Sequence, residues 1–419
     1  MNPTKTAFSW FKKPLLNAAS LSGWGLAGYG LSILAVPILT RFYEPGKFGT
    51  FALVWGASQI FGLAGTLRLE KAFFLAASST EKAKIHALCY GCALLLGALL
   101  TSLVFATGGF SWLSEEMLMV LPVTSLCQSI ILTEMAEGNS DDRYGRSGIA
   151  KGLQFAGVPA FAIAWAFLDF GGNGLVMGLV SSQILVAAML LSNGSGGVFI
   201  VIEQRGVGLQ KTFRKYINFV RYTMPHEVFG ALSSHATAIL IPVFFGNTLA
   251  GFFFLAQKCV MLPSTVLGSS LAQIYFHELG KCREERPERI RLFAYVLFPL
   301  SAISAILFSL IYIASPQIVT HLLGAQWSPA TIFFSMITPW AALHFIGSVL
   351  SPTPLAMDKQ GMALTIELIN GILRFGFLSL GFLMNNSFLG IGFFIASGLI
   401  ITGSRLIWYR RLIASDSYA

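Results

Sequence analysis

Apolar runs of about twenty residues recur from one end of this chain to the other, and that is the length a helix needs to cross the hydrocarbon core of a bilayer. They fall at 15–39, 48–67, 85–106, 113–133, 149–168 and 173–193, and again at 224–245, 248–275, 291–313, 329–350, 361–384 and 388–409. Hydrophobic residues make up 55% of the chain and charged ones 11%, against about 25% charged in an ordinary soluble domain. The surplus apolar surface has to face lipid. Pro122 and Pro339 interrupt the fourth and tenth runs, which membrane helices tolerate because neighbouring groups satisfy the freed carbonyls. The expected fold class is an all-α integral membrane protein of about twelve transmembrane helices.

Charge tests the count, because cytoplasmic loops carry an excess of lysine and arginine. With twelve spans, 24 basic residues fall on one side, from Lys5, Lys12 and Lys13 through the even-numbered loops to Arg405, Arg410 and Arg411. Arg41 and Lys47 stand on the other. An error in the count would scramble this partition from that point onward. Both termini are therefore expected in the cytoplasm. Lys258 and Arg374 belong to neither side. The net charge of +9 thus reads as topology and not as a nucleic-acid footprint. The first run follows Phe11-Lys12-Lys13 and lacks a small-residue cleavage site, so it is expected to be an uncleaved helix.

The longest hydrophilic interruption, 194–223, divides the chain into two sets of six helices: 1–203, a connecting helix at 204–223, and 224–419. On that connector Phe213, Tyr216, Ile217 and Val220 share one face, with Lys211, Arg214, Lys215, Asn218 and Arg221 opposite. This fits either an amphipathic helix drawn to anionic lipid head groups or a helix that merely joins two lobes. The halves echo each other. Phe48-Gly49-Thr50-Phe51-Ala52-Leu53 opens the second helix and Ala250-Gly251-Phe252-Phe253-Phe254-Leu255 the eighth; Leu175-Val176-Met177-Gly178 echoes Leu389-Gly390-Ile391-Gly392. Offsets of a little over two hundred residues imply parallel repeats, two pseudo-symmetric six-helix lobes around a central cavity.

The stretch Leu39-Thr40-Arg41-Phe42-Tyr43-Glu44-Pro45-Gly46-Lys47-Phe48-Gly49-Thr50-Phe51-Ala52-Leu53, followed by Leu67-Arg68-Leu69-Glu70, resembles the signature of the polysaccharide transporters. These are the Wzx-like O-antigen flippases of the multidrug/oligosaccharidyl-lipid/polysaccharide (MOP) flippase superfamily. Leu69 stands where that family has tyrosine. The resemblance implies translocation of undecaprenyl-pyrophosphate-linked oligosaccharide from the cytoplasmic to the periplasmic leaflet of a bacterial inner membrane. It also implies a polysaccharide polymerase and glycosyltransferases as partners. Asp142-Arg143-Tyr144-Gly145-Arg146 mimics a loop motif of major facilitator transporters, but between the wrong pair of helices.

Charges at membrane depth are costly and tend to line wet interiors. Lys258 and Arg374 fall near the midplane of the eighth and eleventh spans, with Glu367, Asn370 and Arg374 sharing a stripe. They are expected to supply a cationic field for a pyrophosphate head group; the competing expectation is a Glu367–Arg374 ion pair. Arg68 and Glu70 either meet cargo at the inner mouth or pair locally, and Arg41 brackets the outer mouth or anchors a helix end. Glu227, His235 and Glu367 are the candidates for ion coupling. Glu227, Gly230, Ser234 and Thr237 form a stripe that also suits helix packing.

No Walker A sequence, dinucleotide fingerprint, zinc-ligand spacing or Ser/His/Asp set is present. Cys89 and Cys92, spaced as CxxC, have no second pair and read as reduced helix residues. A transporter without cofactor or metal is expected. A cation-coupled multidrug antiporter of the same superfamily and a non-transporting scaffold for glycan assembly are the alternatives.

Overall fold

The computed structural model describes residues 23–107, 115–168, 173–192, 208–282 and 284–415. Lys5, Lys12, Lys13, Arg205 and Arg283 lie outside the described residues, as do 15–22, 113–114, 193 and the 194–207 part of the hydrophilic interruption. Among the described residues every regular element is helical. The helices are α1 (Gly23–Leu34), α2 (Val36–Phe42), α3 (Pro45–Gly65), α4 (Ser79–Thr107), α5 (Glu115–Ser140), α6 (Tyr144–Phe167) and α7 (Gly174–Ser192). A short α8 (Leu209–Lys215) precedes α9 (Met224–Phe245), α10 (Asn247–Val260), α11 (Ser269–Lys281), α12 (Arg286–Gln317), α13 (Ala330–Leu350), α14 (Gln360–Leu383) and α15 (Ser387–Ala414).

Ten of the described helical stretches are long and apolar enough to span a bilayer, and two bent pairs bring the number to twelve. The expected all-α, multi-pass architecture is therefore what the chain adopts. Leu94, Leu95 and Leu99 on α4 and Ile303, Ile306 and Leu310 on α12 are exposed, as side chains facing acyl chains would be. Pro122 and Pro339 lie inside continuous helices, as anticipated.

The breaks fall elsewhere. α1 and α2 meet at 42°, with Pro37 in the first turn of α2. α10 and the helical stretch Ser264–Lys281, which ends in α11, meet at 45° across Met261-Leu262-Pro263. Proline lacks the N–H that would continue the ladder and its ring crowds the preceding turn. The eighth span, expected to be one helix over 248–275, is thus a bent pair.

The chain forms two compact units. The first takes 1–43 and 50–235; the second takes 44–49 and 236–419. The LTRFYEPGKFG stretch consequently serves both. In the first unit Tyr43 is buried and its hydroxyl donates to the Ala162 carbonyl at 2.6 Å; burial pushes its phenol pKa upward. In the second unit Phe48 packs edge-on against Trp327, ring centres 4.9 Å apart. There the starts of α3 and α10 touch backbone to backbone. A Cβ on Gly49 would stand 1.9 Å from the Asn247 carbonyl oxygen, and one on Gly251 1.8 Å from that of Pro45. Partner and glycine exchange roles across a fixed offset of 202 residues, so the first sequence echo is a reciprocal contact.

Of the connector's two expected readings, the structure favours a helix packed on protein. Its apolar face is turned onto protein and not toward lipid: Tyr216 is 4% exposed and joins a core with Leu69, Phe73, Ile85 and Cys89, against which Phe213, Phe219 and Val220 also pack. α8 ends at Lys215, and a wide π-helical turn over Phe219–Thr223 leads into α9. Lys215 pairs with Glu81 at 2.5 Å, and the Tyr216 hydroxyl donates to the same carboxylate at 3.0 Å. The Glu81 hydrogen bond raises the Lys215 ammonium pKa. Tyr216→Ala is expected to cost about 3 kcal/mol and to lower the midpoint of thermal unfolding in detergent, whereas Tyr216→Phe keeps the packing and most of the stability. Equal midpoints for wild type and Tyr216→Ala would show that the connector is not docked.

Candidate functional site

In the first unit α3 ends at Gly65, and Leu67 and Arg68 both adopt positive φ (50° and 58°) before a 3-10 turn over Leu69–Leu75. Non-glycine residues pay about 1–3 kcal/mol each to sit in this left-handed region, so surrounding contacts must hold them there. One is the guanidinium of Arg68 itself, which is turned inward and 6% exposed. It pairs with Glu70 at 2.7 Å and with Glu227 of α9. Glu70 is 2% exposed. The Leu67-Arg68-Leu69-Glu70 motif thus pairs locally and also recruits Glu227, a residue the sequence placed in a separate helical stripe. His235, on the same helix, packs its ring edge-on against Trp55, centres 5.0 Å apart. Arg41 is exposed at the end of α2.

The second unit holds Lys258 and Arg374, the two cations assigned to no loop. Lys258 lies in the last turn of α10, just before the bend, and is half-buried. A helix C-terminus favours a cation because its last carbonyls lack intrahelical partners and the macrodipole is negative there. The break at Met261–Pro263, unseen in the hydropathy pattern, therefore gives Lys258 a reason for its position.

Arg374 occupies an aromatic corner. Its guanidinium carbon sits 5.1 Å from the centre of the Trp340 ring and 5.2 Å from that of Phe394, on α13 and α15. Such stacking holds the planar head while leaving its N–H edge available. The Trp340 indole also packs closely on the α15 backbone, where a Cβ on Gly398 would come within 2.7 Å of it. His344 follows one helical turn later, its ring 6.1 Å from Trp340. Arg374 Nε, Trp340 Nε1, His344 Nδ1 and Asn370 Oδ1 are all buried without a hydrogen-bond partner among the described residues. Buried polar atoms are normally satisfied, so several unmet ones on α13 and α14 mark a place for a polar guest or ordered water.

The expected Glu367–Arg374 ion pair is absent. Glu367 pairs instead with Arg405 of α15, and Asn370 Nδ2 donates to Glu367 Oε1 at 3.5 Å. Glu367 and Arg405 line a cavity of about 220 Å³ with Gln360, Trp408 and Tyr409. The stripe Glu367, Asn370, Arg374 is therefore split: its first member looks to Arg405, its last to the aromatic corner. Sequence spacing did not reveal Trp340, Phe394 or Arg405, since each lies on a different helix from its partner. An apolar run that keeps a tryptophan and histidine at i and i+4 is the only signal they left.

Three comparisons bear on identity. A family model described as polysaccharide biosynthesis protein matches residues 38–332. The succinoglycan biosynthesis transport protein ExoT of Rhizobium meliloti (strain 1021) is 22% identical over 345 residues, covering 76% of this chain and 65% of that protein's length, just under two thirds. Among solved structures, the lipid II flippase MurJ in an inward closed conformation superimposes with a TM-score of 0.68 at 14% identity, over 94% of this chain and 87% of that one. An inward-facing multidrug resistance MATE family transporter of the MOP superfamily gives 0.62 at 13% identity, over 93% and 94%. The fold is thus shared with both of these proteins, and the family match spans more than half of the sequence. This chain belongs to the polysaccharide biosynthesis protein family and has the MOP-superfamily transporter fold.

Proposed function

We propose that the protein is a flippase that carries undecaprenyl-pyrophosphate-linked oligosaccharide from the cytoplasmic to the periplasmic leaflet of a bacterial inner membrane, by alternating access. The observation that carries this reading is Arg374: a cation in a candidate membrane-spanning helix, packed against two aromatic rings, with Nε unsatisfied and no carboxylate paired to it among the described residues. A guanidinium so held presents an N–H edge to phosphate oxygens, the bidentate chemistry that arginine performs best. Lys258 adds a second positive charge, while the prenyl tail stays in lipid. Family membership, a curated relative named for succinoglycan transport and a fold shared with a lipid II flippase support the same reading. The charge partition of the sequence supports cytoplasmic termini.

A multidrug antiporter would share this fold, but the carboxylates proposed for ion coupling, Glu227 and Glu367, are both engaged by arginines. That favours an anionic cargo over a cationic drug. Arg374→Gln and Lys258→Gln are each expected to slow translocation at least about tenfold, equivalent to about 1.4 kcal/mol, with unchanged protein in the membrane. Deleting the gene is expected to make lipid-linked repeat units accumulate on the cytoplasmic leaflet, with rescue by wild type and not by Arg374→Gln. Full rescue by both single variants and by their combination would remove the cationic site from the mechanism.

A further inference from the structure

The first unit contains a second polar cluster that the transport reading does not use. His86 stands in the second turn of α4; Glu134 and Glu137, one turn apart on α5, face it. His86 Nε2 is 3.2 Å from Glu137 Oε1, and Nδ1 is 3.6 Å from Glu134 Oε1. One donor atom from each of the three residues falls within 4.8 Å of the others. His86 is 0% exposed and Glu134 4%. Neither imidazole nitrogen makes a hydrogen bond among the described residues.

Glu134, buried, and Glu137, half-buried, set two carboxylates against one fully buried imidazole, an arrangement that is costly away from water unless a cation satisfies it. Of the nearby arginines, Arg143 pairs with Glu137 at 3.5 Å and with Asp141 at 3.0 Å, while Arg146 donates to the carbonyls of Met189 and Leu190; among the described residues no lysine or arginine pairs with Glu134. A dication would neutralise both carboxylates at once. Metal–nitrogen and metal–oxygen bonds of about 2.0–2.2 Å at a tetrahedral angle place two donors about 3.3–3.6 Å apart; the His86 Nε2–Glu137 separation of 3.2 Å nearly meets that, and Glu134, whose contact is with the other imidazole nitrogen, has to turn its carboxylate toward the same ion. The carboxylates also have the outer contacts that ligands require. The Tyr90 hydroxyl, one turn beyond His86, donates to Glu134 Oε1, and Arg143 stands behind Glu137.

We propose that His86, Glu134 and Glu137 bind a divalent transition-metal ion of the zinc or manganese class. One imidazole with two carboxylates is a mixed set suited to such ions and poor for soft monovalent ones. Phe73, ring centre 4.7 Å from His86, lies on the 3-10 turn and belongs to the core on which Tyr216 of the connector docks. The ion would therefore pin α4 to α5 beneath the connector, a structural role independent of cargo.

The test uses the full chain purified in detergent, stripped with EDTA and dialysed against Co²⁺, then Zn²⁺. One equivalent of Co²⁺ per chain is expected, with visible d–d bands of nitrogen and oxygen ligation, displacement by Zn²⁺ and a higher unfolding temperature. Glu137→Gln should bind at least tenfold more weakly. A thiolate-to-cobalt charge-transfer band would assign the ion to cysteine and overturn the proposal. So would a wild-type protein that keeps no stoichiometric metal, or equal retention by wild type, Glu137→Gln and His86→Gln. The wild-type spectrum and stoichiometry decide the matter even if the variants fail to fold. Stabilisation by mild acid without any response to metal would make His86 a protonated bridge between the two carboxylates, and would also overturn it.

Discussion

Gly251→Val is expected to reduce the yield of folded, detergent-extractable protein at least about tenfold, and Gly49→Val to do the same. A side chain at either position would lie less than 2 Å from a backbone oxygen, Pro45 in one case and Asn247 in the other. No rotamer relieves that, because the first atom of the side chain is already in collision. The helices must separate, and overpacking of a tight contact costs about 1–3 kcal/mol or more. In a membrane, where small residues let backbones approach, the lost van der Waals contact is not replaced by a hydrophobic gain. The control is Gly97→Val, since nothing stands within 4 Å of a Cβ at Gly97. It should leave yield unchanged by fluorescence-detected size exclusion. Comparable yields for all three variants would mean that the reciprocal contact is not made.

The second large effect is expected at Arg68. Arg68→Gln leaves Glu70, 2% exposed, without its cation, and removes the partner of Glu227 as well. Breaking a buried pair from one side costs about 3–5 kcal/mol because a charge is stranded. The unfolding midpoint should fall sharply. Neutralising the stranded partner should restore much of it, so Arg68→Gln combined with Glu70→Gln is expected to be more stable than Arg68→Gln alone. Arg68→Lys should recover only part, since a single ammonium cannot reach toward two carboxylates as a planar fork does. Thermal melts of the four proteins check this. A double variant no better than the single one would place the contribution of Arg68 in backbone geometry and not in charge.

Much of this fold is legible in the sequence because the membrane imposes a coarse code. Length and apolarity mark the spans, and lysine and arginine mark the loops. The 202-residue echo was legible too, and its reason is now physical: Gly49 and Gly251 are where two backbones must touch. The bends at Pro37 and Pro263 were not, because a hydropathy window runs through a break of a few residues without registering it. In the sequence the connector is open to two readings for a related reason. An amphipathic face shows that something apolar must cover it, but lipid and Leu69, Phe73 and Ile85 satisfy that demand equally well.

For the site, the sequence isolated Lys258 and Arg374 by elimination, as cations assigned to no loop. It did not reveal who accompanies them. Glu367 takes Arg405, 38 residues away, in preference to Arg374 seven residues away on its own helix. Helical spacing describes neighbours along one helix, whereas these partners are set by the packing of α13, α14 and α15. The separation of His86 from Glu134 and Glu137 hid that cluster in the same way.

The most direct test of the transport reading is movement of the lipid itself. Purified protein would be reconstituted into liposomes carrying an undecaprenyl-pyrophosphate-linked oligosaccharide in both leaflets, and a non-permeant oxidant or lectin would follow the sugar exposed outside. Empty liposomes should expose only the outer pool. Wild-type protein is predicted to bring out the inner pool as well, and Arg374→Gln to do so at least about tenfold more slowly. An inner pool that stays protected with wild-type protein, or emerges equally fast with Arg374→Gln and Lys258→Gln, would contradict the account.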